Sequence, residues 1–91
     1  MINYDKKSET FEFKGRVYDV SWKSVDTRHG GPFDRGSADS YYGRPLRPHY
    51  YVGGTGMSDR VEKEDMKEHE IDAYYAGYRF NDDIVQDFKE W

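Results

Sequence analysis

The stretch Thr10-Phe-Glu-Phe-Lys-Gly-Arg-Val-Tyr-Asp-Val-Ser-Trp22 decides the fold class. Phe11 and Phe13 alternate with polar residues, and Tyr18, Val20 and Trp22 do so again, which is the period-two pattern of half-buried strands. Lys14-Gly15 between them predicts a two-residue turn, with Gly15 supplying the positive φ such a turn requires. A β-hairpin over about 10–22 is therefore expected. Two strands alone are marginal, so another element must cover the apolar face.

The cover is predicted at the other end of the chain. From about Lys67 to Phe80, the residues Ile71, Tyr74, Tyr75 and Tyr78 recur at i, i+3, i+4, i+7, the signature of an amphipathic helix. Met66 precedes it as a staple residue, and Glu68 and Glu70 suit the positive end of its dipole. Ala73, Ala76 and Gly77 form a stripe of small residues alongside. A glycine inside a helix costs about 1 kcal/mol relative to alanine, so Gly77 predicts a closely approaching backbone. Ile84 to Trp91 reads as a short terminal helix anchoring Phe88 and Trp91 on the core, and residues 1–9 read as frayed. The expectation is a small single α+β domain spanning 1–91.

The chain has 91 residues, no Cys, and 35% apolar but 18% aromatic side chains. A domain this size buries roughly two-thirds of its unfolded surface, so bulky rings must build a thin core. Without Cys there is neither a disulfide framework nor thiolate chemistry, and no apolar run of signal-peptide or membrane-span length occurs. A cytoplasmic protein that enters no membrane is expected.

Net charge is −4, unevenly spread. Residues 1–56 hold nine Lys/Arg against seven Asp/Glu, whereas 57–91 hold five against eleven. Arg28, Arg35, Arg44 and Arg47 in the middle thus oppose an acidic run from Glu62 to Asp72.

Between these ends, Gly30, Gly31, Pro32 and Gly36 punctuate a loop, and Ser37 to Tyr42 predicts a short helix capped by Ser37 and closed by Gly43. Pro45 and Pro48 then favour extended backbone. Asp34 to Tyr51 holds three Arg, one His and four Tyr. Arginine offers a planar donor fork for phosphate or carboxylate, and tyrosine a face for a base or guanidinium. Arg35, Asp39, Tyr41, Tyr42, Arg44, Arg47, His49 and Tyr50, helped by Tyr74 and Tyr78 of the helix, are the expected partner-binding residues. A hydrogen-bonded network that only holds the loop to the core would use the same residue types.

Catalysis is not expected. His29, His49 and His69 lack metal-ligand spacing, Ser37 and Ser40 fit helix caps better than nucleophiles, and Gly53 to Gly56 lacks the Lys-Ser/Thr of a phosphate loop. No cofactor is implied. Three binding modes remain open: docking on a protein, RNA or ribosome; gripping a nucleotide's phosphates with Arg35, Arg44 and His49; or mimicking nucleic acid with the acidic run.

The string Gly31-Pro-Phe-Asp-Arg-Gly-Ser-Ala-Asp-Ser-Tyr-Tyr-Gly-Arg-Pro-x-x-Pro-His49, with Ala73-Tyr-x-x-Gly-Tyr78 and Phe88-Lys-x-Trp91, resembles a family of small tailed-bacteriophage proteins. That resemblance spans about residues 31–91. It implies an accessory protein acting in the infected bacterium's cytoplasm on host physiology or defence, and carries no activity with it. A fainter likeness is to bacterial ribosome modulation factors, through Gly43-Arg44, Pro48-His49-Tyr50 and Tyr74-x-x-Gly77-Tyr78. There the Pro-to-Tyr spacing differs, Tyr replaces the usual Trp, and this chain is acidic where those are basic.

Overall fold

The computed structural model describes residues 3–21, 27–53 and 59–90. It is α+β. Strands β1 (Asn3–Asp5), β2 (Thr10–Phe13) and β3 (Arg16–Asp19) form an antiparallel sheet in the order β1-β2-β3, and β4 (His49–Tyr51) pairs antiparallel with β5 (Arg60–Glu62). The helices are α1 (Pro32–Tyr41) and α2 (Glu68–Phe80).

The expected hairpin is β2–β3. Lys14 and Gly15 both take positive φ, 53° and 77°, the twisted two-residue turn that matches the strands' own twist. Phe11 pairs with Tyr18 across it, and both are buried. Trp22 lies outside the described residues. The expectation of a frayed N-terminus is corrected: β1 pairs Tyr4 with Phe11, and Asp5 Oδ1 accepts the Lys7 amide at 2.9 Å to fix the turn between β1 and β2.

The middle helix is longer than predicted. It begins at Pro32, not Ser37, because Pro32 takes the first helical position, where its missing N–H costs nothing. Gly36 does not break it. A Cβ on Gly36 would lie 2.0 Å from the Tyr74 carbonyl oxygen, and one on Gly77 would lie 2.0 Å from that of Phe33. Each glycine is thus required by the backbone of the other helix, and the close approach predicted for Gly77 is met by α1.

Phe11, Tyr18, Phe33 and Ala76 are buried where the three-stranded sheet meets this helix pair, with Phe80, Ala73, Phe13, Val20 and Ile84 packed around them. The Phe80 ring lies 5.1 Å from Phe11 and 5.8 Å from Phe33, typical of aromatic pairs. The small-residue stripe of α2 therefore faces the core. Its tyrosine face is turned elsewhere, as described below. At the N-terminus of α2 the Glu70 carboxylate accepts the Lys67 amide at 2.8 Å, and Met66 is buried.

The short terminal helix over 84–91 is not formed. One π-helical turn, Asn81–Val85, ends at Gln86 in the left-handed region with φ 54°, and residues 86–90 lack regular structure. Buried Asn81 directs this ending, its side-chain amide donating to Ser40 Oγ and to the Asp87 carbonyl, both at 2.9 Å. Ile84 reaches the core, but Phe88 remains 46% exposed, and Trp91 is outside the described residues. Among the described residues, no helix is long and apolar enough to cross a membrane.

Candidate functional site

The arginine-bearing stretch curves around a cavity of about 330 Å³. Arg35 and Asp39, one helical turn apart on α1, form one wall; Arg44, Pro45 and Arg47 of the extended segment form a second. His49 and Tyr51 of β4 and Arg60 of β5 close the third. Alternation along β4 puts His49 and Tyr51 on one side and Tyr50 on the other. The register opposes Tyr51 to Arg60, which brings the fourth guanidinium onto the cavity side.

Two tyrosines of α2 hold the extended segment in place. Tyr78 donates its hydroxyl to the Arg44 carbonyl at 2.6 Å, while the Tyr74 hydroxyl accepts the Arg47 amide at 3.0 Å. Tyr74 in turn donates to Asp39 Oδ2 at 2.5 Å. Burial, reinforced by that carboxylate, pushes the Tyr74 phenol far above its ordinary range, so its proton stays in place. Gly43 permits the chain reversal that starts the segment, with φ 68° and its amide on the Ser40 carbonyl at 3.0 Å.

His49 is 3% exposed and locked in one tautomer. Arg35 Nε, 3.4 Å away, can only donate, so His49 Nε2 carries the lone pair. The proton then sits on Nδ1 and is donated to the Arg47 carbonyl at 2.8 Å. Burial holds the imidazole pKa below its ordinary value, in keeping with this neutral form.

The cavity is electropositive. Asp39, 3% exposed, has Arg44 Nη1 at 3.5 Å from its Oδ1. Arg60 is bound to Glu62 at 2.6 Å, which raises the guanidinium pKa and lowers that of the carboxylate. Four guanidiniums thus face two carboxylates, and among the described residues the exposed Arg47 has no ion pair. Arg44 also stacks on the Tyr42 ring, 4.7 Å from its centroid, and Arg35 lies 5.8 Å from that of Tyr51.

Of the residues expected at a binding site, Arg35, Asp39, Arg44, Arg47 and His49 line the cavity together. Tyr42 stands at its edge beneath Arg44. Tyr74 and Tyr78 brace the extended segment through their hydroxyls, and Tyr74 is fully buried. Tyr41 packs against Tyr42 at 4.9 Å, and its carbonyl accepts the Lys89 amide at 2.8 Å. Tyr50 turns away to hydrogen-bond Glu70, which raises its phenol pKa.

Sequence reasoning placed Pro45 and Tyr51 inside the binding stretch without naming them as contacts, and it missed Arg60. Strand alternation from His49 would have found Tyr51. Nothing local marks Arg60, which depends on a strand of only three residues paired across an eight-residue connection. Ser40 is engaged with Asp82 at 2.9 Å and with Asn81, a tie between helices. Arg28 binds the carbonyls of Tyr51 and Val52 at 3.2 and 3.0 Å, securing the end of β4 outside the cavity.

Comparison with protein-family models, with curated proteins and with solved structures gave no match to this chain.

Proposed function

We propose that this protein binds a small phosphorylated molecule in the arginine cavity and sequesters it without performing chemistry on it. The carrying observation is the convergence of Arg35, Arg44, Arg47 and Arg60 on one concavity of about 330 Å³. That volume is at the lower end of the ~300–1,000 Å³ typical of small-ligand sites. Guanidinium forks match phosphate oxygens bidentately, and several of them share the charge of a dianion. An extended nucleic acid is disfavoured: the positive charge lies inside a recess, while Glu62, Glu64, Asp65 and Glu68 are exposed along the chain beyond it.

Two features support binding without turnover. Both ring nitrogens of His49 are committed to Arg35 and the Arg47 carbonyl, and the Tyr74 proton is held on the phenol. Neither is poised for proton transfer. The resemblance to phage accessory proteins supports setting this role in the cytoplasm of an infected bacterium, with a host nucleotide signal as the molecule removed.

Thermal denaturation with inorganic phosphate, pyrophosphate and nucleoside mono- and cyclic phosphates tests the proposal. A ligand at 100 times its dissociation constant should add about 2.7 kcal/mol to stability. The reading is overturned if none of them raises the melting temperature. Retention of an RNA oligonucleotide or a host protein under those conditions would favour macromolecular docking instead.

A further inference from the structure

Asp39 is an unexpected residue to find in an anion site. It is 3% exposed, lies on the cavity wall, and repels the charge that the four arginines attract. Its Oδ2 is engaged by Tyr74. Its Oδ1 accepts no hydrogen bond among the described residues, the nearest cationic atom being Arg44 Nη1 at 3.5 Å. A carboxylate has about four acceptor positions, and on the cavity wall those of Oδ1 are open to a donor that enters the cavity. A ligand donor meeting Oδ1 would offset the carboxylate's repulsion and so discriminate between anions.

The donor's chemistry is constrained by its neighbours. An ammonium would be repelled by Arg35, Arg44, Arg47 and Arg60, so the donor is neutral. A hydroxyl suits the position best, since it donates to Oδ1 and accepts from a guanidinium with the same oxygen. Resting on the phosphate-binding reading above, we infer that the cavity selects a sugar phosphate, with the phosphate on the arginines and a sugar hydroxyl on Asp39 Oδ1. A free sugar phosphate and the ribose of a nucleoside 5′-phosphate both carry this chemistry.

Calorimetric titration of the intact protein with methyl phosphate and ribose 5-phosphate tests the inference. Ribose 5-phosphate should bind about tenfold more tightly or better, the worth of one hydrogen bond to a charged acceptor. Asp39→Asn keeps an acceptor for Tyr74 but presents a donor or the amide edge to the ligand. It should bring that ratio down towards one, while methyl phosphate binds as well or better for want of the negative charge. Equal wild-type affinities, or a variant that improves both ligands by one factor, would overturn the inference and leave Asp39 as a counter-ion for the arginines. If neither ligand binds the wild type, the phosphate reading itself fails. Should Asp39→Asn not fold, adenosine 5′-phosphate against its 2′,3′-dideoxy analogue decides on the wild type, where loss of about tenfold supports the role and no loss refutes it. The stronger of adenosine 5′-phosphate and ribose 5-phosphate identifies the source.

Discussion

Tyr74 and Asp39, 35 positions apart in the chain, share a 2.5 Å hydrogen bond that joins α2 to the cavity wall on α1. The same hydroxyl accepts the Arg47 amide, so one phenol fixes both sides of the arginine site relative to each other.

Tyr74→Phe removes that hydroxyl while keeping the ring. It strands the Asp39 carboxylate and the Arg47 amide, and leaving such groups unsatisfied costs about 1–3 kcal/mol. Urea denaturation should report a loss in this range, and phosphate binding should weaken in the folded fraction because Arg47 is no longer tethered.

Gly36→Ala and Gly77→Ala should each destabilise by more than about 3 kcal/mol, although alanine favours an isolated helix by about 1 kcal/mol. The added carbon meets a backbone carbonyl at 2.0 Å, which no rotamer change relieves. Gly43→Ala is the control. Its Cβ would meet nothing within 4 Å, so only the left-handed φ penalty of about 1 kcal/mol applies. Similar losses at all three sites would refute the account of the helix crossing.

Stability should fall at both ends of the pH range, for different reasons. His49 has a depressed pKa in the folded state, so the unfolded chain binds more protons below its ordinary value of 6.5. Its contribution is complete above that value and is lost as pH falls towards the folded pKa. Tyr74 is opposite: its raised pKa gives a contribution complete below 10 and lost as pH rises beyond it. Chemical denaturation at stepped pH should show both limbs. His49→Gln should flatten the one below 6.5, and Tyr74→Phe should reduce the one above 10.

Arg47→Ala should leave stability within about 0.5 kcal/mol, since the side chain is exposed and has no ion pair among the described residues. Phosphate affinity should drop by about tenfold or more, the effect of losing one charge-assisted hydrogen bond. An unfolded variant would instead make the arginine part of the scaffold.

How much of this was legible in the residues depended on how local the signal was. The β2–β3 hairpin was visible because Lys14-Gly15 and the flanking alternation lie within about a dozen residues, and α2 because its period holds for two turns. The start of α1 was misjudged since Gly36 looks like a breaker until the carbonyl of Tyr74 is seen against it. The terminal helix failed because Asn81 satisfies its amide on Ser40 and the Asp87 carbonyl, a partnership invisible in a linear pattern. At the site, residue types were readable but assignments were not. Tyr74 and Tyr78 looked like docking rings and are seen to be braces, while Arg60 entered through a strand pairing that no motif announces.

Every cavity-lining residue lies between Arg35 and Arg60, yet the phenols that shape the extended segment belong to α2. A ribosome making this chain therefore releases the four cavity arginines before the residues that organise them. Until Tyr74 and Tyr78 have emerged and α2 has crossed α1, the nascent polypeptide carries the charges without the braces that shape the cavity around them.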